Sequence, residues 1–252
     1  MTAHQFYSET RRLAYDQTPG RSPGVVFLGG FNSSKDGTKA LHLEDWAKRT
    51  GRAFLRFDYS GHGASAGKFE DGTIGQWAED AAAIIKSLTE GPQIIVGSSM
   101  GGWIACLLLR RMPKTFAGLV TVAAAPDFTE VKYWSGFDAE TREKLALEGS
   151  VKVESPYDDE PYTITLRLIE EARDHLVMTQ PLNAPCPMHI LHGTADAAIP
   201  TSAAERLFQH VSGPSVCMTL VKGADHRFST PSCLKLITHS IEVIAEQSER
   251  VS

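Results

Sequence analysis

A chain of 252 residues, 42% of them hydrophobic and 22% charged, has enough apolar side chains for one large α/β domain with a full core. A formal net charge of −5 gives no electrostatic attraction to phosphate backbones or anionic bilayers, which argues against nucleic-acid binding. The most apolar continuous run, Trp103 to Leu109, is too short to span a membrane and is bounded by Arg110 and Arg111, so no stable membrane insertion is expected.

The first residues, Met1 to Glu9, show no basic region followed by an apolar core, and the expected compartment is the cytoplasm. A hairpin is predicted over Phe6 to Tyr15. Short apolar strands follow at Gly24 to Leu28, Ala53 to Phe57, Ile94 to Val96, Leu119 to Ala123, Met188 to Leu191 and Val216 to Val221. Apolar residues at helical spacing mark helices near Thr38 to Thr50, Ile74 to Thr89, Gly101 to Arg111, Thr201 to His210 and Ser232 to Ser248. Strands alternating with helices in this way predict a mostly parallel, doubly wound sheet covered on both faces. Cys106, Cys186, Cys217 and Cys233 have no Cys-x-x-Cys spacing, and buried free thiols are expected.

Residues 128–183 break the alternation, being rich in aromatic and acidic side chains. Helices are predicted there over Ala139 to Leu147 and Ile164 to His175, with a turn from Ser155 to Pro161 between them. As an insertion at the carboxyl edge of the sheet, the segment is expected to act as a helical lid, with Phe128, Tyr133, Trp134 and Phe137 roofing an acyl pocket.

The chemistry centres on Gly97-Ser98-Ser99-Met100-Gly101, where a β-branched run turns abruptly into a helix. Gly97 and Gly101 remove Cβ atoms that would collide in so tight a turn, leaving the Ser99 hydroxyl projecting at a helix N-terminus. That is the expected nucleophile. A carboxylate follows a later strand in His192-Gly193-Thr194-Ala195-Asp196, and an imidazole follows the next strand in Gly223-Ala224-Asp225-His226. Asp196 is read as the acid that orients the imidazole and His226 as the general base. Asp225 is the main rival acid and Asp127 a weaker one; neighbours in an extended loop point apart, so Asp225 is expected to form a local turn. The Phe31 and Met100 N–H groups are expected to form the oxyanion hole, Gly29 and Gly30 letting the chain turn before Phe31. The Phe57 to Ser65 loop is read as structural, with His62 at most near the pocket.

These stretches, with Ser22-Pro23-Gly24, Asn32 through Ala40, Arg56-Phe57-Asp58-Tyr59-Ser60-Gly61, Gly91 through Trp103, Leu191-His192-Gly193 and Asp225-His226-Arg227, resemble the serine hydrolases of the α/β-hydrolase superfamily. More narrowly, they resemble the mitochondrial acyl-glucuronide esterase and protein depalmitoylase branch. The resemblance implies the same nucleophile, acid and base at Ser99, Asp196 and His226. The expected reaction is hydrolysis of a small-molecule or acyl-chain ester or thioester through an acyl-enzyme, with no metal or cofactor. Two other readings remain open: a peptidase of the prolyl-oligopeptidase type, for whose large extra domain the chain has no room, and a small-molecule sensor on the same fold. The oligomeric state is left open.

Overall fold

The computed structural model describes residues 4–7, 11–154 and 161–249. The tip of the expected N-terminal hairpin and most of the turn expected from Ser155 to Pro161 lie outside the described residues.

In chain order the strands are β1 (His4–Tyr7), β2 (Arg12–Thr18), β3 (Arg21–Leu28), β4 (Arg52–Phe57), β5 (Gln93–Ser98), β6 (Phe116–Val122), β7 (Ser150–Val153), β8 (Tyr162–Thr165), β9 (Leu182–Asn183), β10 (Met188–Gly193), β11 (Val211–Ser212) and β12 (Val216–Val221). The helices are α1 (Thr38–Thr50), α2 (Ile74–Leu88), α3 (Met100–Arg111), α4 (Ala139–Glu148), α5 (Leu166–Ala172), α6 (Thr201–His210) and α7 (Pro231–Glu249). Eight strands form one sheet in the order β1-β2-β4-β3-β5-β6-β10-β12. The β1/β2 and β2/β4 pairs are antiparallel and the other pairs parallel.

The central strands read as continuous apolar runs because both faces are covered. All six residues of β5 are buried. One face packs against α1 and α7 through Leu43, Trp46, Ile237, Ile241 and Ile244. The other packs against α2 and α3 through Trp77, Ile84, Trp103 and Leu107. Capping follows the sequence signals: the Thr73 hydroxyl accepts the Gln76 N–H at the start of α2, and Gly51 closes α1 at φ 67°. From β3 the chain proceeds first to β4 on one side and then to β5 on the other. This reversal opens a crevice at the carboxyl ends of β3 and β5, the position where doubly wound sheets bind ligands.

Two expectations are corrected. The predicted helix from Ile164 to His175 starts late: residues Tyr162–Thr165 form β8, paired antiparallel with β7, and α5 begins at Leu166. The β-branched run Thr163-Ile164-Thr165 favours strand, and the Thr165 hydroxyl then caps α5 by accepting the Leu168 N–H. Cys217 is exposed on the edge strand β12, whereas Cys106, Cys186 and Cys233 are buried thiols as expected. Burial pushes the Cys106 thiol up to about 12.

The loop after β4 is tied to α2 through one carboxylate. Asp80, 2% exposed, accepts the Ser60 N–H at 2.9 Å and its hydroxyl at 2.6 Å, and pairs with Arg11 at 2.5 Å. Removing one partner of a buried pair leaves the other charge uncompensated. Asp80→Ala is therefore expected to lower stability by about 3 kcal/mol in urea titrations. Glu79→Ala, which removes a largely exposed carboxylate paired with the same arginine, should stay within about 1 kcal/mol.

Candidate active site

Ser99 stands between the end of β5 and the start of α3 with φ 53° and ψ −117°, a conformation that L residues rarely adopt. The surrounding backbone holds it there. Its N–H donates to the Val122 carbonyl at 2.9 Å, and its own carbonyl accepts from Gly102 at 2.9 Å and Ala125 at 3.1 Å. The glycines matter for the reason the sequence suggests: a Cβ on Gly97 would run into the Gly101 carbonyl, and one on Gly101 into the Leu28 carbonyl.

The loops after β10 and β12 bring two further side chains to this point. His226 Nε2 lies 3.0 Å from Ser99 Oγ, and His226 Nδ1 lies 2.7 Å from Asp196 Oδ2. The other Asp196 oxygen accepts the Ala198 and Ile199 N–H groups at 2.9 and 2.8 Å. Burial alone would raise the Asp196 pKa, but the hydrogen bond and charge of His226, the Ile199 N–H and nearby His192 hold it below the usual carboxylate range. His192, fully buried, donates to the Ile199 carbonyl at 3.0 Å and so braces the Asp196 turn from behind.

The two rival acids are engaged elsewhere. Asp225 is exposed and accepts the Phe228 N–H at 3.1 Å, the local turn expected of it. Asp127 is buried and receives the Val177 and Met178 N–H groups at 2.8 and 3.0 Å.

The Met100 N–H is a first-turn donor of α3, and such donors have no acceptor within their own helix. The loop after β3 lies directly opposite: a Cβ on Gly30 would sit 3.4 Å from the Ser99 Cβ. The turn is made differently from the expectation, since neither Gly29 nor Gly30 has a positive φ. Asn32 takes that role, at φ 53°.

A cavity of about 430 Å³ opens over Ser99 and His226, within the usual range for small-molecule sites. Phe128 and Tyr133 line it. Trp134 and Phe137 do not: the Trp134 ring is flanked by Arg142 and Arg173, and Phe137 stacks on the far side of Tyr133. A π-helical turn spans Thr129–Trp134, a register that a 3.6-residue reading of the sequence does not anticipate. A smaller, mainly apolar recess of about 160 Å³ adjoins the cavity and shares Ala125, Phe128, Lys132, Ala198 and Ile199 with it. Lys39, Lys132 and Arg227 also line the main cavity and were not anticipated as site residues, although Lys39 and Arg227 lie within stretches singled out in the sequence. Burial lowers the Lys39 ammonium to about 8 and lowers Lys132 as well.

This geometry agrees with the comparisons to known proteins. Residues 23–161 match the family model described as serine aminopeptidase, S33. The mitochondrial palmitoyl-protein thioesterase ABHD10 of Bos taurus is 36% identical over 236 residues, covering 93% of this chain and 77% of the relative. Among solved structures, alpha/beta hydrolase domain-containing protein 10 from mouse aligns with a TM-score of 0.90 at 30% identity over 100% of both chains. A protein from Agrobacterium vitis S4 aligns with a TM-score of 0.92 at 36% identity, over 97% of this chain and 98% of its own. The chain therefore belongs to the serine aminopeptidase S33 family of α/β-hydrolases, as a relative of the ABHD10 thioesterases.

Proposed function

We propose that the protein is a serine hydrolase cleaving carboxylic esters or thioesters, with Ser99 as nucleophile, His226 as general base and Asp196 as the orienting acid. The observation that carries this reading is the continuous hydrogen-bonded series from Ser99 Oγ through His226 to Asp196. His226 Nε2 takes the hydroxyl proton as Ser99 Oγ attacks the carbonyl carbon, and the carbonyl oxygen becomes an oxyanion. The Phe31 and Met100 N–H groups stabilise that charge. The imidazolium returns its proton to the departing alcohol or thiol, leaving an acyl-enzyme. Water then repeats the sequence and releases the acid. Asp196 stays ionised throughout, holding Nδ1–H and stabilising the imidazolium.

The family description raises an aminopeptidase as the second reading. An aminopeptidase must seat a free α-ammonium group close to the scissile bond. Among the described residues lining the cavity there is no aspartate or glutamate, while Lys39, Lys132 and Arg227 are present. A cationic wall disfavours that substrate, which supports ester or thioester cleavage. We read residues 128–183 as a lid on the strength of Phe128, Lys132, Tyr133 and Tyr162, which all reach the cavity wall. The mitochondrial address in the relatives' names is theirs.

A fluorophosphonate probe is expected to label Ser99, and Ser99→Ala should reduce turnover of a short-chain aryl ester by on the order of 10⁴-fold or more. Absence of multiple turnover by the native chain would favour a sensor instead. Asp196→Asn should lower kcat severely, because the amide favours the wrong imidazole tautomer, whereas Asp225→Asn should be mild. The reverse ranking at equal stability would make Asp225 the acid.

Each methylene buried against the apolar wall contributes roughly 0.8 kcal/mol, so kcat/KM should rise by up to about tenfold for every two carbons added to a p-nitrophenyl ester until the recess is full. Tyr133→Ala should flatten that profile and Trp134→Ala should leave it unchanged. Aminoacyl p-nitroanilides should be poor substrates beside these esters, and the opposite preference would restore the aminopeptidase reading.

A further inference from the structure

The loop after β4, Asp58-Tyr59-Ser60-Gly61-His62-Gly63-Ala64-Ser65, has no atom in the proposed chemistry, yet it is among the most tightly held segments of the chain. Ser60 is fixed by Asp80, and its carbonyl accepts the Trp77 indole N–H at 3.0 Å. Gly61 and Gly63 take positive φ, and a Cβ on Gly63 would strike the Asp58 carboxylate. His62 is buried within this framework. Its ring meets Tyr59, Phe69 and Trp77 edge to face, with centroids 5.6, 5.1 and 5.0 Å away.

Buried imidazoles satisfy both nitrogens where they can, and here the two partners specify the tautomer. Nδ1 lies 3.3 Å from the Ser60 carbonyl, which can only accept, so Nδ1 carries the proton. Nε2 is then a lone-pair acceptor, and the Asn32 N–H donates to it at 3.2 Å. Asn32 directly follows Phe31 and is the residue whose left-handed backbone makes the turn. The Asp58 carboxylate grips the same loop further along by accepting the Lys35 N–H. The Phe31 ring rests on Phe69 and Trp77, two of the rings that enclose His62.

We propose that His62 is a positioning residue of the oxyanion hole: its neutral, Nδ1-protonated ring holds Asn32 in its left-handed turn and thereby fixes the direction of the Phe31 N–H toward Ser99. This rests on the functional reading given above. The buried, aromatic surroundings suit the role, since burial lowers the His62 pKa to about 4 and keeps Nε2 free of a proton across the neutral range. A protonated ring would set N–H against N–H at Asn32 and release the turn. The His62 ring nitrogens are engaged by Asn32 and Ser60 rather than by Ser99, His226 or Asp196, so its contribution concerns stabilisation of the oxyanion rather than generation of the nucleophile.

The test uses the full-length protein and two variants. His62→Phe keeps an aromatic ring in the cage and removes the acceptor; His62→Gln restores an acceptor oxygen without the ring. His62→Phe should lower kcat on an aryl ester by about 10-fold or more, toward the loss seen when one oxyanion donor is removed. KM should stay within about twofold, and affinity for a trifluoromethyl ketone, which forms an oxyanionic adduct on the serine, should fall in parallel with kcat. His62→Gln should recover a substantial part of both losses. Equal kcat and ketone affinity in native protein and a folded His62→Phe variant would overturn the proposal, as would equal losses in the two variants. If neither variant folds, imidazole nitrogen–proton correlation spectra of the native protein decide the matter. A neutral His62 protonated at Nδ1 between pH 5 and 8 is required, and a proton on Nε2 would refute it. Failure of the underlying reading is distinguishable, because the native protein itself would then neither turn over esters nor take the fluorophosphonate at Ser99.

Discussion

The structure depends on one residue being held where its backbone is uncomfortable. At φ 53° and ψ −117°, Ser99 occupies a region unfavourable to any side chain with a Cβ. It persists because β6, the loop after it and α3 each make one backbone hydrogen bond to it. Close approach is the condition for that convergence. The start of α3 lies so near the carboxyl end of β3 that Gly101 leaves no room for a methyl group, and Gly102 is within 2.6 Å of the Ala124 Cβ on the same measure. The strain and the tight packing are one feature. The same approach places the start of α3, whose first N–H groups have no acceptor further along their own helix, directly after the serine.

A second constraint answers the first from across the crevice. The segment between β3 and α1 has no regular structure of its own, yet it must present a backbone N–H within a fraction of an ångström. Side chains supply what a strand or helix would otherwise supply. His62 and Asp58 accept the Asn32 and Lys35 N–H groups, and Arg56 donates to the Lys35 carbonyl at 2.9 Å. The Lys35 ammonium, itself buried, reaches Asp16 on β2 at 2.5 Å. The loop is thus bound to two strands and to the β4 loop, which in turn is bound to α2 through Asp80. A functional loop here is rigid because its neighbours are.

What the sequence revealed divides along these lines. The central strands were legible because burial on both faces leaves short continuous apolar runs, and the helices because their apolar residues recur at helical spacing; α1, α6 and β12 begin and end where expected. That Ser99, Asp196 and His226 come together was legible because each follows its own strand. Residues 128–183 were less so. There Trp134 and Phe137 lie off the cavity in and after a π-helical turn, and a β-branched tripeptide became a strand where apolar spacing suggested a helix. The role of His62 was not legible at all, because its partner Asn32 is 30 residues away and pairing at that range leaves no local pattern.

Three of the aspartates that follow strands at this edge of the sheet were candidate acids, and their fates show what distinguishes them. Asp127 faces inward at φ 57°, and its two oxygens are occupied by the Val177 and Met178 N–H groups, binding the end of the 128–183 excursion to the sheet. Burial raises its pKa, and those two N–H bonds only partly offset the rise. Asp225 is beside His226 in sequence, but the chain turns it toward solvent, where it caps the backbone of Phe228. Asp196 divides its oxygens: one satisfies the turn that holds the carboxylate in place, and the other faces the imidazole at 2.7 Å. Adjacency in sequence counts for less than this division. The acid here needs one oxygen to fix its position while the other reaches the imidazole Nδ1, and of the three only Asp196 does both.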